Sequence, residues 1–84
     1  MRKRVLITGA ASGIGEAFVY WYADNGNDLV LVGRNKSELD RVAFEVRSRD
    51  VHAEVIVADL AHKSGVESVG SQCGVIDVLV MNAG

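Results

Sequence analysis

Four short apolar runs alternate with three longer stretches in which apolar residues recur at helical spacing. Val5-Leu6-Ile7, Leu29-Val30-Leu31-Val32, Val55-Ile56-Val57-Ala58 and Val78-Leu79-Val80 carry no charge and are rich in β-branched residues. Runs of this kind read as strands covered on both faces, the environment of a parallel sheet. Between the first two, residues 14–25 place Ala17, Phe18, Trp21 and Tyr22 at three- and four-residue spacing, and Gly26 follows as a stop signal. The spacing predicts a helix whose apolar stripe those four residues form. After the second strand, Asn35 and Glu38 stand in a capping arrangement. Leu39, Val42, Ala43 and Val46 then occupy one helical face, with Asp40, Arg41, Glu45 and Arg47 on the other. This is the clearest amphipathic helix in the chain. From His62 to Gly74, Val66, Val69 and Cys73 suggest a third stripe. Gly65, Gly70 and three serines weaken it, so a short or partly frayed helix is expected.

The order β-α-β-α-β-α-β implies an α/β fold with a parallel sheet. Right-handed crossovers restrict the topology. In the doubly wound arrangement the four strands lie in the order 3-2-1-4, the first two helices cover one face, and the third crosses to the other. With 84 residues and no proline or low-complexity linker, the chain reads as a single domain, 1–84. A domain of that size buries a core with little margin.

Composition narrows the partners. The formal net charge of -2 gives no general attraction for nucleic acid or anionic lipid. Arg2-Lys3-Arg4 reads as a solvated lead-in to the first strand. No stretch approaches the ~20 apolar residues of a membrane helix, and the first apolar run is too short for a signal-peptide core. A cytoplasmic protein without membrane or nucleic-acid partners is expected. Cys73 is the single cysteine, which excludes an internal disulfide. His52 and His62 have no partners at metal-ligand spacing and read as surface residues, so no metal site is expected.

The chemistry sits in Thr8-Gly9-Ala10-Ala11-Ser12-Gly13-Ile14-Gly15, directly after the first strand. The glycine spacing is G-x-x-x-G-x-G, distinct from G-x-G-x-x-G, and no lysine follows as a P-loop would need. Gly9 allows a sharp turn out of the strand. Gly13 removes a Cβ where the backbone must approach a diphosphate, and Gly15 lets the helix pack close to the sheet. The helix start, from Ile14, offers free N–H groups and a partial positive charge. Ser12 adds a hydroxyl donor.

The same segment is similar to the cofactor signature T-G-x-x-x-G-x-G of the short-chain dehydrogenases/reductases. Asp59-Leu60 after the third strand resembles that family's contact to the adenine. Asn82-Ala83-Gly84 after the fourth resembles the end of its N-N-A-G motif. The resemblance covers essentially the whole chain. It implies the cofactor-binding half of a three-layer Rossmann-like fold, with Gly9, Ser12, Gly13, Ile14, Gly15, Asp59, Leu60, Asn82, Ala83 and Gly84 at the dinucleotide. Met81 departs from the pattern by standing where the first Asn is usual. It is expected to fill that space apolarly, with a local effect on rigidity.

The cofactor is read from the second strand end. NAD sites commonly carry a carboxylate about 20 residues beyond the glycine loop. Here Arg34 stands 19 residues after Gly15, in Gly33-Arg34-Asn35-Lys36, with no carboxylate preceding it at the strand end. A guanidinium suits a 2′-phosphate, and Lys36 adds charge. NADP is therefore expected over NAD.

The resemblance also implies a catalytic Ser and a Tyr-x-x-x-Lys pair, and the chain ends at Gly84 before either. Tyr20 and Tyr22 have no lysine four residues on, so no catalytic residue is assigned. The expected function is the cofactor-binding part of an NADP-dependent oxidoreductase of carbonyls or alcohols, inactive alone. The competing reading is a non-catalytic nucleotide-binding or self-association module. In a truncated domain the fourth strand is an apolar edge, so a homo-oligomer formed through that edge is expected.

Overall fold

A strand can be apolar at every position only if both its faces are covered, and the sheet meets that requirement in its middle. The structure is a computed structural model that describes residues 2–82. Its elements run β1 (Arg4–Thr8), α1 (Gly13–Asp24), β2 (Asp28–Gly33), α2 (Lys36–Arg47), β3 (Ala53–Val57), α3 (Lys63–Gln72) and β4 (Val78–Val80). The sheet has the order β3-β2-β1-β4, as expected. All neighbours are parallel, with Leu6 opposite Val30 and Leu79, and Val30 opposite Glu54.

Side chains alternate across this sheet and build two cores. Val5, Ile7, Leu29 and Leu31 point to one face, where they pack with Val19 and Ala23 of α1 and with Leu39, Val42, Ala43 and Val46 of α2. Leu6, Val30, Val32 and Ile56 point to the other and meet Val69 of α3. At ~1.5–3 kcal/mol per fully buried aliphatic side chain, the first core dominates, because two helices seal it and one seals the second. No helix among the described residues is long and apolar enough to cross a membrane.

The second helix forms as its sequence dictates. The Asn35 side chain accepts a hydrogen bond from the Glu38 backbone N–H at 3.2 Å, and the whole stripe from Leu39 to Val46 is buried. The third helix is the short one expected, 10 residues against 12 in each of the other two, and it runs unbroken rather than frayed. Val69 is buried and Cys73 half-buried, whereas Val66 faces solvent. Its two glycines do different things. Gly70 faces open space, and Gly65 lies against the backbone of Asp59.

The first helix corrects the predicted stripe. Its buried residues are Gly15, Val19 and Ala23, spaced by four. Ile14 is 69% exposed and Trp21 60% exposed, and Ala17 and Phe18 also face outward; only Tyr22 of the predicted four is half-buried. The cause is proximity. Gly15 must lie against the preceding loop, and that fixes the rotation of the helix so that small residues face the sheet. The flank toward α2 is polar: Arg41 pairs with Glu16 at 3.0 Å, Arg49 pairs with Asp24 at 2.8 Å, and the Arg49 guanidinium lies 4.8 Å from the centre of the Tyr20 ring.

Side-chain size therefore misorders the stability effects on this helix. Val19→Ala is expected to cost about 2 kcal/mol, for two buried methyl groups and the cavity they leave. Trp21→Ala, at an exposed site, is expected to cost less than about 1 kcal/mol. Urea unfolding of both variants checks the order, and a larger loss at Trp21 would contradict the inward face assigned here.

Candidate cofactor site

The glycine segment leaves β1 at Thr8 and enters α1 at Gly13. Gly9 has φ 59°, a left-handed conformation that frees the chain to turn. Ser12 is the N-cap of α1, yet its side chain does not cap the helix. The hydroxyl instead donates back to the Gly9 carbonyl at 2.7 Å, so its proton is engaged within the loop. The N–H groups of Gly13, Ile14 and Gly15 thus keep the free donors and partial positive charge of a helix start. A Cβ on Gly13 would meet nothing within 4 Å. The space beside Gly13 is therefore open, whereas Gly15 is buried.

Gly15 is required for a different reason. A Cβ there would lie 2.0 Å from the Gly9 carbonyl oxygen and 2.7 Å from the Asn82 amide nitrogen. The close packing predicted for Gly15 is therefore packing on the loop, more than on the sheet. Asn82 supplies what sequence reading missed. Its side-chain amide donates to Gly9 O at 3.2 Å and to Ser12 Oγ at 2.9 Å. Its backbone N–H donates to Thr8 Oγ1 at 2.9 Å. Asn82 thereby ties the end of β4 to the loop. Nothing in the local spacing signals this link, because the partners are 74 and 70 residues apart in the chain.

Two hollows flank the loop. One, about 450 Å³, runs between Gly9, Arg34, Asp59, Leu60 and Asn82. The other, about 700 Å³, runs over Ser12 to the start of α2 at Lys36–Glu38. Gly9, Gly33 and Arg34 border both. The two hollows thus gather Gly9, Ser12, Arg34, Asp59, Leu60 and Asn82 at the sheet's C-terminal end. Gly13 and Ile14 border neither and line a separate hollow of about 390 Å³ with Ala17, Phe18 and Trp21. Gly15 is buried against the loop, and Ala83 and Gly84 lie outside the described residues. Met81 corrects an expectation. It is 69% exposed at the mouth of the cleft and packs no space at the strand end. A further hollow of about 750 Å³ lies away from the loop, beside β3. Its Arg4 and Glu54 neutralise each other at 2.8 Å, and it borders none of the glycine segment.

The charges are sorted with care. Lys36 pairs with Asp40 at 2.7 Å on its own helix. Arg34 is exposed and has no ion pair or side-chain hydrogen bond among the described residues. Glu16 lies in the first turn of α1, where a bare carboxylate would oppose an anion. Arg41 donates to both its oxygens, at 3.0 and 3.2 Å, and Tyr20 Oη donates at 2.8 Å. The Arg41 hydrogen bonds, aided by Tyr20, hold the Glu16 carboxyl below its ordinary value of 4.5 against the opposing effect of burial. Burial first, and the Glu16 carboxylate second, push the Tyr20 phenol up. The described residues contain no cluster of His, Cys, Asp and Glu able to hold a metal ion.

This geometry has relatives. The family model for short chain dehydrogenase matches residues 3–84. An uncharacterized oxidoreductase of Mycobacterium tuberculosis is 35% identical over 86 residues, which span 98% of this chain and 33% of that protein. Among solved structures, L-sorbose reductase from Gluconobacter frateurii, complexed with NADPH and L-sorbose, matches with a TM-score of 0.89 at 36% identity over 98% of this chain and 33% of its own. A short-chain dehydrogenase from Sphingobium yanoikuyae in complex with NADPH gives 0.85 at 38% identity, covering 92% of this chain and 32% of that one. The chain thus spans about a third of the length of the relatives it matches.

The Glu16 cluster yields a pH test. A carboxyl held low in the folded state contributes stability that is present above its unfolded value and lost as pH falls through the folded one. The parent protein should therefore be more stable than Glu16→Gln near neutrality. The gap should narrow as pH drops below about 4.5. Thermal melts of both proteins from about pH 6 to about pH 3 check this, and a gap independent of pH would contradict it.

Proposed function

The chain belongs to the short-chain dehydrogenase family, and from that premise we propose that it is the NADP-binding part of an oxidoreductase acting on carbonyls or alcohols. The observation that carries the choice of cofactor is Arg34. It stands at the end of β2, borders both hollows and has no carboxylate partner among the described residues. Its guanidinium matches the charge and planar geometry of a phosphate on the ribose. The L-sorbose reductase and the Sphingobium enzyme carry NADPH, and an alcohol dehydrogenase from Thermococcus sibiricus carries 5-hydroxy-NADP. These companions support the reading.

In this reading the amides of Gly13, Ile14 and Gly15 hold the diphosphate at the start of α1. Asp59 and Leu60 line the adenine side, and Asn82 holds the loop in shape for both. When bound, the cofactor supplies the hydride chemistry. These residues supply binding and orientation only. No Tyr-x-x-x-Lys occurs within the 84 residues, and Tyr20 turns toward Glu16 and Arg49 rather than the cleft. The proposal is therefore one of cofactor binding without turnover by this chain alone.

Self-association is part of the same proposal. Among the described strands β4 pairs only with β1, and Leu79 on it is exposed. An apolar edge with free backbone donors and acceptors is a template for another strand.

Calorimetry with NADPH and NADH tests the cofactor. The parent should prefer NADPH, and Arg34→Asp should weaken NADPH binding at least about tenfold, the loss of a charge-assisted contact. Equal affinity of the parent for both cofactors would overturn the choice. Light scattering at micromolar concentration tests the edge. A dimer or larger species is expected, with Leu79→Lys shifted toward monomer; a monomeric parent would sink the association.

A further inference from the structure

We propose that Gly65 is a positioning residue for the adenine side of the cleft, because only a residue without a side chain lets the first turn of α3 lie on the Asp59 backbone. The inference rests on the dinucleotide reading given above. Gly65 is not among the glycines with positive φ, so backbone torsion does not demand it. Glycine is also a poor helix former, and nothing local to the helix calls for one in its first turn. The contact does. A Cβ at Gly65 would lie 2.0 Å from the Asp59 carbonyl oxygen, 2.7 Å from its carbon and 3.1 Å from its nitrogen.

The turn against which Gly65 rests is a small rigid unit. Asp59 Oδ1 accepts from the Ala61 N–H at 3.0 Å. The Asp59 carbonyl accepts from the His62 N–H at 3.2 Å, and the His62 carbonyl accepts from the Gly65 N–H at 3.1 Å. One side of the unit is fixed to the sheet, where the Ala58 N–H donates to Gly33 O at 2.8 Å. The other side is fixed by Val69 of α3, which is buried in the core that Ala58 and Leu60 also touch. A Cβ cannot be relieved by a side-chain rotation, because its obstacle is backbone. Relief requires a shift on the order of 1 Å in either α3 or residue 59, and close-packed interiors transmit such shifts. Asp59 and Leu60 line the cleft across from Gly9 and Arg34, so the shift appears in the cleft wall.

Gly70 provides the control within the same helix. A Cβ there meets nothing within 4 Å, so Gly70→Ala should raise the melting temperature through helix propensity alone. The ligand to use is 2′,5′-ADP, which carries the adenine and the 2′-phosphate without the nicotinamide. Calorimetry is done well below each protein's melting temperature, with folding checked by circular dichroism. The parent and Gly70→Ala should bind alike, and Gly65→Ala should bind at least about fivefold more weakly while folded, in line with the sensitivity of sites to ångström-scale misplacement. Amide chemical shifts of ligand-free Gly65→Ala should move at residues 58–66 and stay in place at residues 9–15.

Folded Gly65→Ala with parental affinity overturns the inference, and so do shift changes spread equally over residues 9–15. Should Gly65→Ala fail to fold, the parent alone decides: titration with 2′,5′-ADP should shift the Gly65 amide together with Asp59 and Leu60 and leave Gly70 unmoved, and an unmoved Gly65 overturns the inference. A parent that binds neither 2′,5′-ADP nor NADPH is a different failure, since it removes the dinucleotide reading itself and the inference with it.

Discussion

The fold turns on the approach of the Gly15 Cα to the Gly9 carbonyl, a contact that any side chain at position 15 would forbid. It sets how near α1 comes to the end of β1. It also sets the rotation of α1, because Gly15 facing inward brings Val19 and Ala23 inward one and two turns later. Once that face is fixed, Glu16 and Tyr20 turn toward α2 and find Arg41 on it and Arg49 just beyond its end. Ile14, Phe18 and Trp21 are left on the flank away from α2. The same contact sets the start of α1, with the unpartnered amides of any helix first turn, directly beside the end of β1. One missing methyl group thus links the helix packing, the interhelix salt bridge and the binding geometry.

What was legible in the sequence follows from how local each constraint is. The strands were readable because burial on both faces forces unbroken apolar runs at Val5–Ile7 and Leu29–Val32, whatever the distant partners are. The second helix was readable because its cap and its stripe are both local, and Asn35 and Leu39–Val46 do what their spacing says. The inward face of α1 was not readable. Aromatic residues at helical spacing looked like a core stripe, but the rotation was decided by a backbone contact, and backbone contacts leave only a glycine as their trace. The Thr8–Asn82 link was hidden for another reason, since it joins residues at opposite ends of the chain. Met81 was misjudged because the resemblance supplied a space to fill, whereas the strand end exposes that position.

The electrostatic pattern around the cleft has the same local and distant parts. An acidic residue in the first turn of a helix is ordinarily favourable, but at this helix it would stand beside the amides that the proposed function assigns to an anion. Arg41, reaching across from α2, removes the conflict by neutralising Glu16. Lys36 is likewise occupied by Asp40. Arg34 is left as the cation at the end of β2 without a carboxylate partner among the described residues, in a position that faces both hollows. In the proposed function, preference for a phosphate is then less a matter of total positive charge, which is modest here, than of which cation has been left without a carboxylate.

Glycines 9, 15 and 65 show a common way of building a cleft from backbone. Gly9 bends the chain, Gly15 brings a helix onto that bend, and Gly65 brings a second helix onto the turn opposite. Backbone walls differ from side-chain walls in that they have no rotamers to yield with, so a small displacement is passed on rather than absorbed. A cleft of this kind gains precision at the cost of tolerance. Substitutions that add a single carbon at positions 15 and 65 act on its shape, while Gly70, which borders open space away from the cleft, does not share that burden. Gly13 acts in a second way, by leaving space empty rather than by admitting backbone, so the number of glycines in such a segment says less about a site than what each absent side chain would strike or fill.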